Sequence, residues 1–243
     1  MVKMKVKYIQ SLSHKKLRDE DGVFVAEGPK IINELLSAGN IEPVEIFAVK
    51  EWMNGRQDSL FEEIEQSELE RISFLSTPNQ VLGIFKKAVH PPMHLAGTVT
   101  LMADNIQDPG NLGTIIRCAD WFGIKQVICS KDCADVYNPK TVQSTMGSIS
   151  RVAVHYEDLA EVIRSHPSTH VYAATLSGKN IHEMKPLHHG IILMGNESKG
   201  ISADLLKLAQ EEITIPRIGA AESLNAAVAT GIILSHLVKG AAH

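Results

Sequence analysis

The sequence predicts an α/β protein. A mostly parallel, doubly wound sheet fills its C-terminal part, and a smaller α/β unit precedes it. Three observations predict this. After residue 97, short apolar runs alternate with helical stretches, the pattern of a parallel sheet covered on both faces. Three of those runs open into glycines and small polar residues just before a helix, where open α/β sheets bind ligands. Between the two parts, A-V-H-P-P-M-H-L-A-G at 88–97 has two prolines and no periodicity, and reads as a linker.

The elements follow in order. Val23–Ala26 is a short apolar strand. Gly28-Pro29 opens a helix with apolar Ile31, Ile32, Leu35 and Leu36, ended by Gly39. Val44–Val49 is a second strand, 59–69 an acidic amphipathic helix, and Val81–Phe85 a further strand. Beyond the linker, strand Thr98–Met102 leads through a Pro109-Gly110 turn into a helix with Asn111 as N-cap and Gly123 just past its end. Val127–Cys129 is a strand. Asn138-Pro139 starts a helix that Gly147 ends. Val152–His155, Val171–Thr175 and Ile191–Met194 are strands, with a helix at 157–165. Ser202 caps a helix to Gln210, Ile213–Ile215 is the last strand, and 223–239 the last helix.

Composition narrows the class. The chain of 243 residues is 44% hydrophobic, enough for one large or two ordinary cores. No run of 18 or more apolar residues is free of charge, and the N-terminus lacks the apolar core of a signal peptide, so no membrane partner is expected. The three cysteines, Cys118, Cys129 and Cys133, lack CxxC spacing; reduced thiols in the cytoplasm are expected, and no metal. The net charge of −4 does not advertise a nucleic-acid binder. Residues 1–18, however, carry Lys3, Lys5, Lys7, Lys15, Lys16 and Arg18 with no acid, and 58–70 are strongly acidic. The basic stretch is either a solvated terminus or a phosphate contact.

The three corners carry the chemistry. The first, D-N-I-Q-D-P-G-N-L-G-T-I-I-R from Asp104, places Asn111 and Arg117 six residues apart. Arg117 either grips phosphate through its planar fork or is a surface arginine on an amphipathic helix. The second, G-N-E-S-K-G-I-S at 195–202, lets a ligand approach the backbone closely, or is a generic turn. It is neither a dinucleotide fingerprint nor a Walker loop. Glu197 within it is a base, a cap, or a partner of Arg117. The third, from Ile215-Pro216 through Ser223-Leu224-Asn225, precedes a helix rich in Ala and Gly suited to close packing.

In order and spacing, the three corners resemble the three motifs of the SpoU (TrmH-like) branch of the SPOUT RNA methyltransferases. N-L-G-T-I-I-R is similar to motif 1, G-N-E-S-K-G-I-S to motif 2, and I-P with S-L-N-A-A-V-A to motif 3. Tyr137-Asn138-Pro139-Lys140 with Ser144, Met146, Gly147 and Ser148 resembles the middle segment of the family. The resemblance covers roughly 98–238. F-V-A-E-G at 24–28 extends it to the N-terminal, L30e-like substrate-binding domain. It implies an RNA-binding domain at 1–93 and a methyltransferase domain at 98–243 with a deep trefoil knot, unusual among folds.

The resemblance also implies the activity. A methyl group passes from S-adenosylmethionine to a ribose 2′-hydroxyl of structured RNA, rRNA rather than tRNA, and the protein works as a homodimer. The alternatives are a tRNA 2′-O-methyltransferase and a non-catalytic RNA-binding knot protein. Carried over residue by residue, Asn111, Arg117, Glu197, Ser223 and Asn225 form the catalytic neighbourhood. Gly195, Asn196, Gly200, Ile215 and Leu224 line the donor pocket. Arg217 and Ile218 depart from the pattern, which often has methionine and a small residue after Ile-Pro, so local RNA contacts differ. The family proposal makes Arg117 the base. Arginine stays protonated up to a pKa of about 12 or more, which favours contact with the hydroxyl and an adjacent phosphate, with Glu197 as the better intrinsic base or an orienting partner.

Overall fold

The computed structural model describes residues 2–56 and 58–239. In chain order the elements are α1 (Lys3–Ser11), α2 (Lys15–Asp21), β1 (Val23–Glu27), α3 (Pro29–Ala38), β2 (Pro43–Ala48), α4 (Lys50–Met53), β3 (Phe61–Glu63), α5 (Gln66–Ile72) and β4 (Val81–Lys86). Then come β5 (Val99–Ala103), α6 (Pro109–Trp121), β6 (Gln126–Ser130), α7 (Pro139–Thr145), β7 (Ala153–Glu157), α8 (Leu159–Ser165), β8 (Val171–Asn180), β9 (Gly190–Met194), α9 (Ala203–Leu206), β10 (Glu211–Thr214) and α10 (Ala226–Leu237). They group into two compact units: residues up to Val89 with Asp135–Ser150, and His90–Ala134 with Arg151 onward. Residues 135–150, read from sequence as part of 98–243, thus cluster with the first unit. Residues 1 and 240–243, at the outer ends of the two sequence-read domains, lie outside the described residues.

The first unit is built on a four-stranded sheet of order β1-β4-β2-β3, antiparallel at β4 and parallel between β2 and β3. Its basic N-terminal stretch is two helices. Val6, Ile9 and Leu12 enter the core with Val25, Phe47, Leu69 and Leu82, because α1 carries its apolar residues at helical spacing among the lysines. Two of the six cations are held within the fold. Lys5 Nζ donates to Glu45 and Glu62 at 2.5 and 2.8 Å. Arg18, 1% exposed, donates to Leu12 O, Ser13 O and Asp135 Oδ2 at 2.7, 2.8 and 2.6 Å.

The acidic helix expected at 59–69 is instead β3 followed by α5. Glu68 reaches back to the Glu65 N–H at 3.1 Å and starts the helix at Gln66, while 61–63 pair with β2. Gly39 ends α3 in the left-handed conformation, as its position predicts.

The second unit holds a six-stranded sheet of order β10-β8-β9-β5-β6-β7, parallel at every pairing. The apolar runs read from sequence form its inner strands. Ile191, Ile192, Leu193, Leu101 and Met102 are all buried, as parallel strands covered on both faces require. The sheet lays the carboxyl ends of β5, β9 and β10 along one edge. α10 packs on α6, where a Cβ at Gly231 would meet Cys118 Sγ at 3.6 Å. The helix expected from Ser202 to Gln210 is shorter, and the last helix starts at Ala226. No helix among the described residues is long and apolar enough to cross a membrane.

Candidate active site

The site starts from the cap of α6. Asp108, not Asn111, is the N-cap: its carboxylate accepts the Asn111 N–H at 2.8 Å, and Pro109 takes the first helical position. Asn111 is therefore the third residue of the helix, and its side chain is released from capping. At α10 the cap is Asn225, whose Oδ1 accepts the N–H groups of Ala227 and Val228 at 3.0 and 3.2 Å. That engagement fixes the amide orientation and turns Nδ2 the other way.

These two asparagines meet at Glu197, in the loop after β9. Glu197 Oε1 accepts from Asn111 Nδ2 at 2.8 Å, from Asn225 Nδ2 at 2.6 Å and from the Ala226 N–H at 3.0 Å. Asn225 Nδ2 also donates to Asn111 Oδ1 at 2.9 Å. Each corner contributes one side chain to a closed polar triangle. Glu197 pairs with these amides and with the N-terminus of α10, not with Arg117.

Beside the triangle lies a pocket of about 640 Å³. Gly195, Asn196, Gly200, Ile215 and Leu224 all line it, as do Glu197 and Ser223. Its size falls within the range of cofactor sites, roughly 300–1,000 Å³. The loop after β9 folds back on itself there. Asn196 and Gly200 exchange backbone hydrogen bonds at 3.1 and 2.9 Å, and Gly200 takes φ +67°. A Cβ at Gly195 would lie 2.4 Å from the backbone of Gly200 and Ile201, so only glycine fits the crossing.

A fourth wall comes from a place with no motif. β8 pairs with β10 in two registers: Ala173 is opposite Glu212, and the next pair is Lys179 with Ile213. Residues 174–178 leave the ladder, and Ala174, Thr175 and Leu176 line the pocket. Gly178 permits the return, since a Cβ there would stand 2.4 Å from the backbone of Glu212 and Ile213. Thr175 Oγ1 is buried without a hydrogen-bond partner. A partnerless hydroxyl in the wall of such a pocket suits a ligand with polar edges, as S-adenosylmethionine has. From sequence, β8 ends at Thr175; the only signal of the excursion was S-G at 177–178.

Arg117 is exposed on α6 and makes no side-chain hydrogen bond or ion pair among the described residues. Ser223 is exposed on the loop before α10. Asn111, Glu197 and Asn225 are joined; Arg117 and Ser223 are not joined to them. Arg217, one of the departures, donates to Ala221 O at 3.3 Å across the same loop, and Ile218 is fully exposed.

Comparison with known proteins shows the family. Residues 98–235 match the SpoU rRNA methylase family. The chain belongs to that family. Residues 3–83 match an MRM3-like substrate binding domain. The SpoU chain is 30% identical to the 23S rRNA (guanosine(2553)-2′-O)-methyltransferase of Bacillus subtilis, over 96% of its own length and 95% of that protein's. A solved structure assigned to the TrmH family of RNA methyltransferases, from Porphyromonas gingivalis, superposes with TM-score 0.85 at 30% identity, covering 98% of both chains. The AdoMet-bound rRNA methyltransferase of Sinorhizobium meliloti superposes with TM-score 0.83 at 31% identity, covering 97% of this chain and 94% of that one.

Proposed function

We propose that the protein transfers a methyl group from S-adenosylmethionine to a ribose 2′-hydroxyl of ribosomal RNA. One observation carries the reading: three strand-mouth corners close into the Asn111–Glu197–Asn225 triangle beside a backbone-lined pocket. Family membership and the rRNA methyltransferases among the relatives support the same chemistry. When bound, the donor supplies a methyl on a sulfonium, and needs little further activation. The hydroxyl needs more, because it is a poor nucleophile until its proton is taken.

The residues divide the work. Loops 195–202 and 215–225 with the 174–178 excursion hold the donor, largely through backbone and apolar contact. The triangle fixes the three corners relative to one another, which is the positional part of catalysis. Glu197 serves that orientation, its Oε1 being filled by three donors. Arg117, exposed and uncommitted, reaches the phosphate beside the target ribose and donates to the 2′-oxygen, stabilising its developing negative charge as the hydroxyl proton passes to solvent water. Residues 3–83 bind the RNA.

The same reading carries a homodimer in the cytoplasm and a trefoil-knotted C-terminal segment. Trp121 on α6 and Val228 on α10, 81% and 51% exposed, give those two helices an apolar face for a second copy. Sedimentation at working concentration is expected to give a species of twice 26.6 kDa. The test of function is methylation of rRNA from cells lacking this gene, with labelled donor. The product is mapped by resistance to alkali, which cleaves only beside a free 2′-hydroxyl. Donor binding without RNA methylation would favour the non-catalytic RNA-binding reading.

A further inference from the structure

Asp104 and Asn105 follow β5 and grip the loop after β9 at three places. The Asp104 N–H donates to Met194 O at 2.8 Å, where the loop begins. Asn105 O accepts from Asn196 Nδ2 at 2.9 Å, at its first turn. Asp104 Oδ2 accepts the Ser202 N–H at 2.8 Å, where it ends. The carboxylate belongs to a residue only 7% exposed. Midway along the loop, Glu197 accepts from Asn111, Asn225 and the Ala226 N–H. The bonds from the Ser198 and Lys199 N–H groups to Asn196 Oδ1 at 2.8 and 3.1 Å stay within the loop and shape its turn.

The gripping dipeptide is itself held from β6. The Asn105 N–H donates to Ser130 Oγ at 2.9 Å, and the Ile106 N–H to Cys133 Sγ at 3.2 Å. Asn105 adopts φ +56°, a left-handed conformation that asparagine tolerates better than most residues. A chain of contacts thus runs from β6 through Asp104-Asn105 to the loop that supplies Gly195, Asn196 and Gly200 to the pocket.

We propose that Asp104 is a positioning residue for the methyl donor. By accepting the Ser202 N–H it sets the shape of loop 195–202, and through that shape the affinity for S-adenosylmethionine. It touches neither RNA nor the reacting atoms. The inference rests on the reading of the pocket as the donor site.

The test is calorimetric titration of S-adenosylmethionine into the full chain and four variants. Asp104→Ala is expected to weaken binding about tenfold or more, the usual consequence of losing a hydrogen bond to a carboxylate. Asp104→Asn keeps an acceptor oxygen and loses less. Ser202→Pro removes the N–H itself. Ser202 sits at φ −59° and ψ 143° with no side-chain capping bond, a conformation proline takes without strain. It is expected to match Asp104→Ala. The double variant is expected to bind no more weakly than either single one, because both remove the same bond. In methylation assays the loss falls on KM for the donor more than on kcat.

Donor affinity of Asp104→Ala within twofold of the parent, or additive losses in the double variant, would overturn the proposal. Should circular dichroism show Asp104→Ala unfolded, Asp104→Asn and Ser202→Pro decide. A parent chain that binds no donor overturns the donor-site reading and this inference with it. That outcome is distinct from one in which the parent binds and the variants bind equally.

Discussion

Two glutamates just past apolar runs are used in opposite ways. Glu27 ends β1 and is buried; it accepts from Ser73 Oγ and from the Phe74 N–H, the latter at 2.8 Å. Both donors come from one short segment, so the carboxylate ties that segment to the sheet and faces nothing else. Glu197 follows β9 and is exposed, yet its Oε1 takes three donors from two other strand mouths. A carboxylate whose donors are neighbours in sequence holds a fold. One whose donors come from separate corners, beside a pocket, organises a site. Burial marks the difference. It pushes the Glu27 carboxyl above the ordinary 4.5, against the pull of its two hydrogen bonds.

The contrast can be broken or sharpened experimentally. The largest effect is expected at the site, from Gly195→Ala. Its Cβ has no room against the backbone of Gly200 and Ile201, so the loop must open and calorimetry should find no donor binding. Near-normal affinity would mean that the tight crossing does not shape the pocket.

In the first unit the largest effect is expected from Arg18→Ala. It strands the Asp135 carboxylate and two carbonyls, and breaking such a buried pair costs about 3–5 kcal/mol. Urea unfolding followed by the fluorescence of buried Trp52 reads it. Arg18→Lys should recover only part, since an ammonium lacks the fork that spans three acceptors.

Arg117→Ala comes next. Loss of one charge-assisted contact at the reacting centre should slow methyl transfer by roughly a hundredfold, about 3 kcal/mol, with donor affinity nearly unchanged. Arg117→Lys should rescue little. Single-turnover methylation beside donor titration measures both. Near-normal turnover in the alanine variant would return Arg117 to the surface and leave Glu197 as the group to test.

The smallest effect is expected at Glu27. Its folded pKa is raised, so its stabilising contribution is complete below the unfolded value near 4.5 and is lost as pH rises through the folded value. Glu27→Gln cannot ionise. Its unfolding free energy relative to the parent should therefore climb as pH rises from about 4.5. A pH-independent difference would show that the carboxyl keeps its ordinary titration.

Several elements of both units were legible because their signals are local. Asn138 with Pro139 starts α7 and Gly123 follows the end of α6 as read from sequence, since caps and left-handed turns depend on a few adjacent residues. The N-terminal helices were obscured because lysines dominate α1, and its buried apolar residues, Val6 and Ile9, declare themselves only once a sheet is present to cover. The misplacement of the cap at Asn111 has a similar cause. Asp108 and Asn111 are both good caps, and Pro109 at the first helical position decides between them.

The sequence by itself determined that a parallel α/β sheet would carry three glycine- and amide-bearing corners at its strand ends. Apolar alternation and turn residues act over a few positions and need no partner. Tertiary structure decided which groups in those corners meet. The contact of Glu197 with Asn111 and Asn225 spans 86 and 28 residues, and the detour of β8 into the pocket depends on its register against β10. Pairing across such distances is set by sheet order and register, which no short stretch of the chain contains.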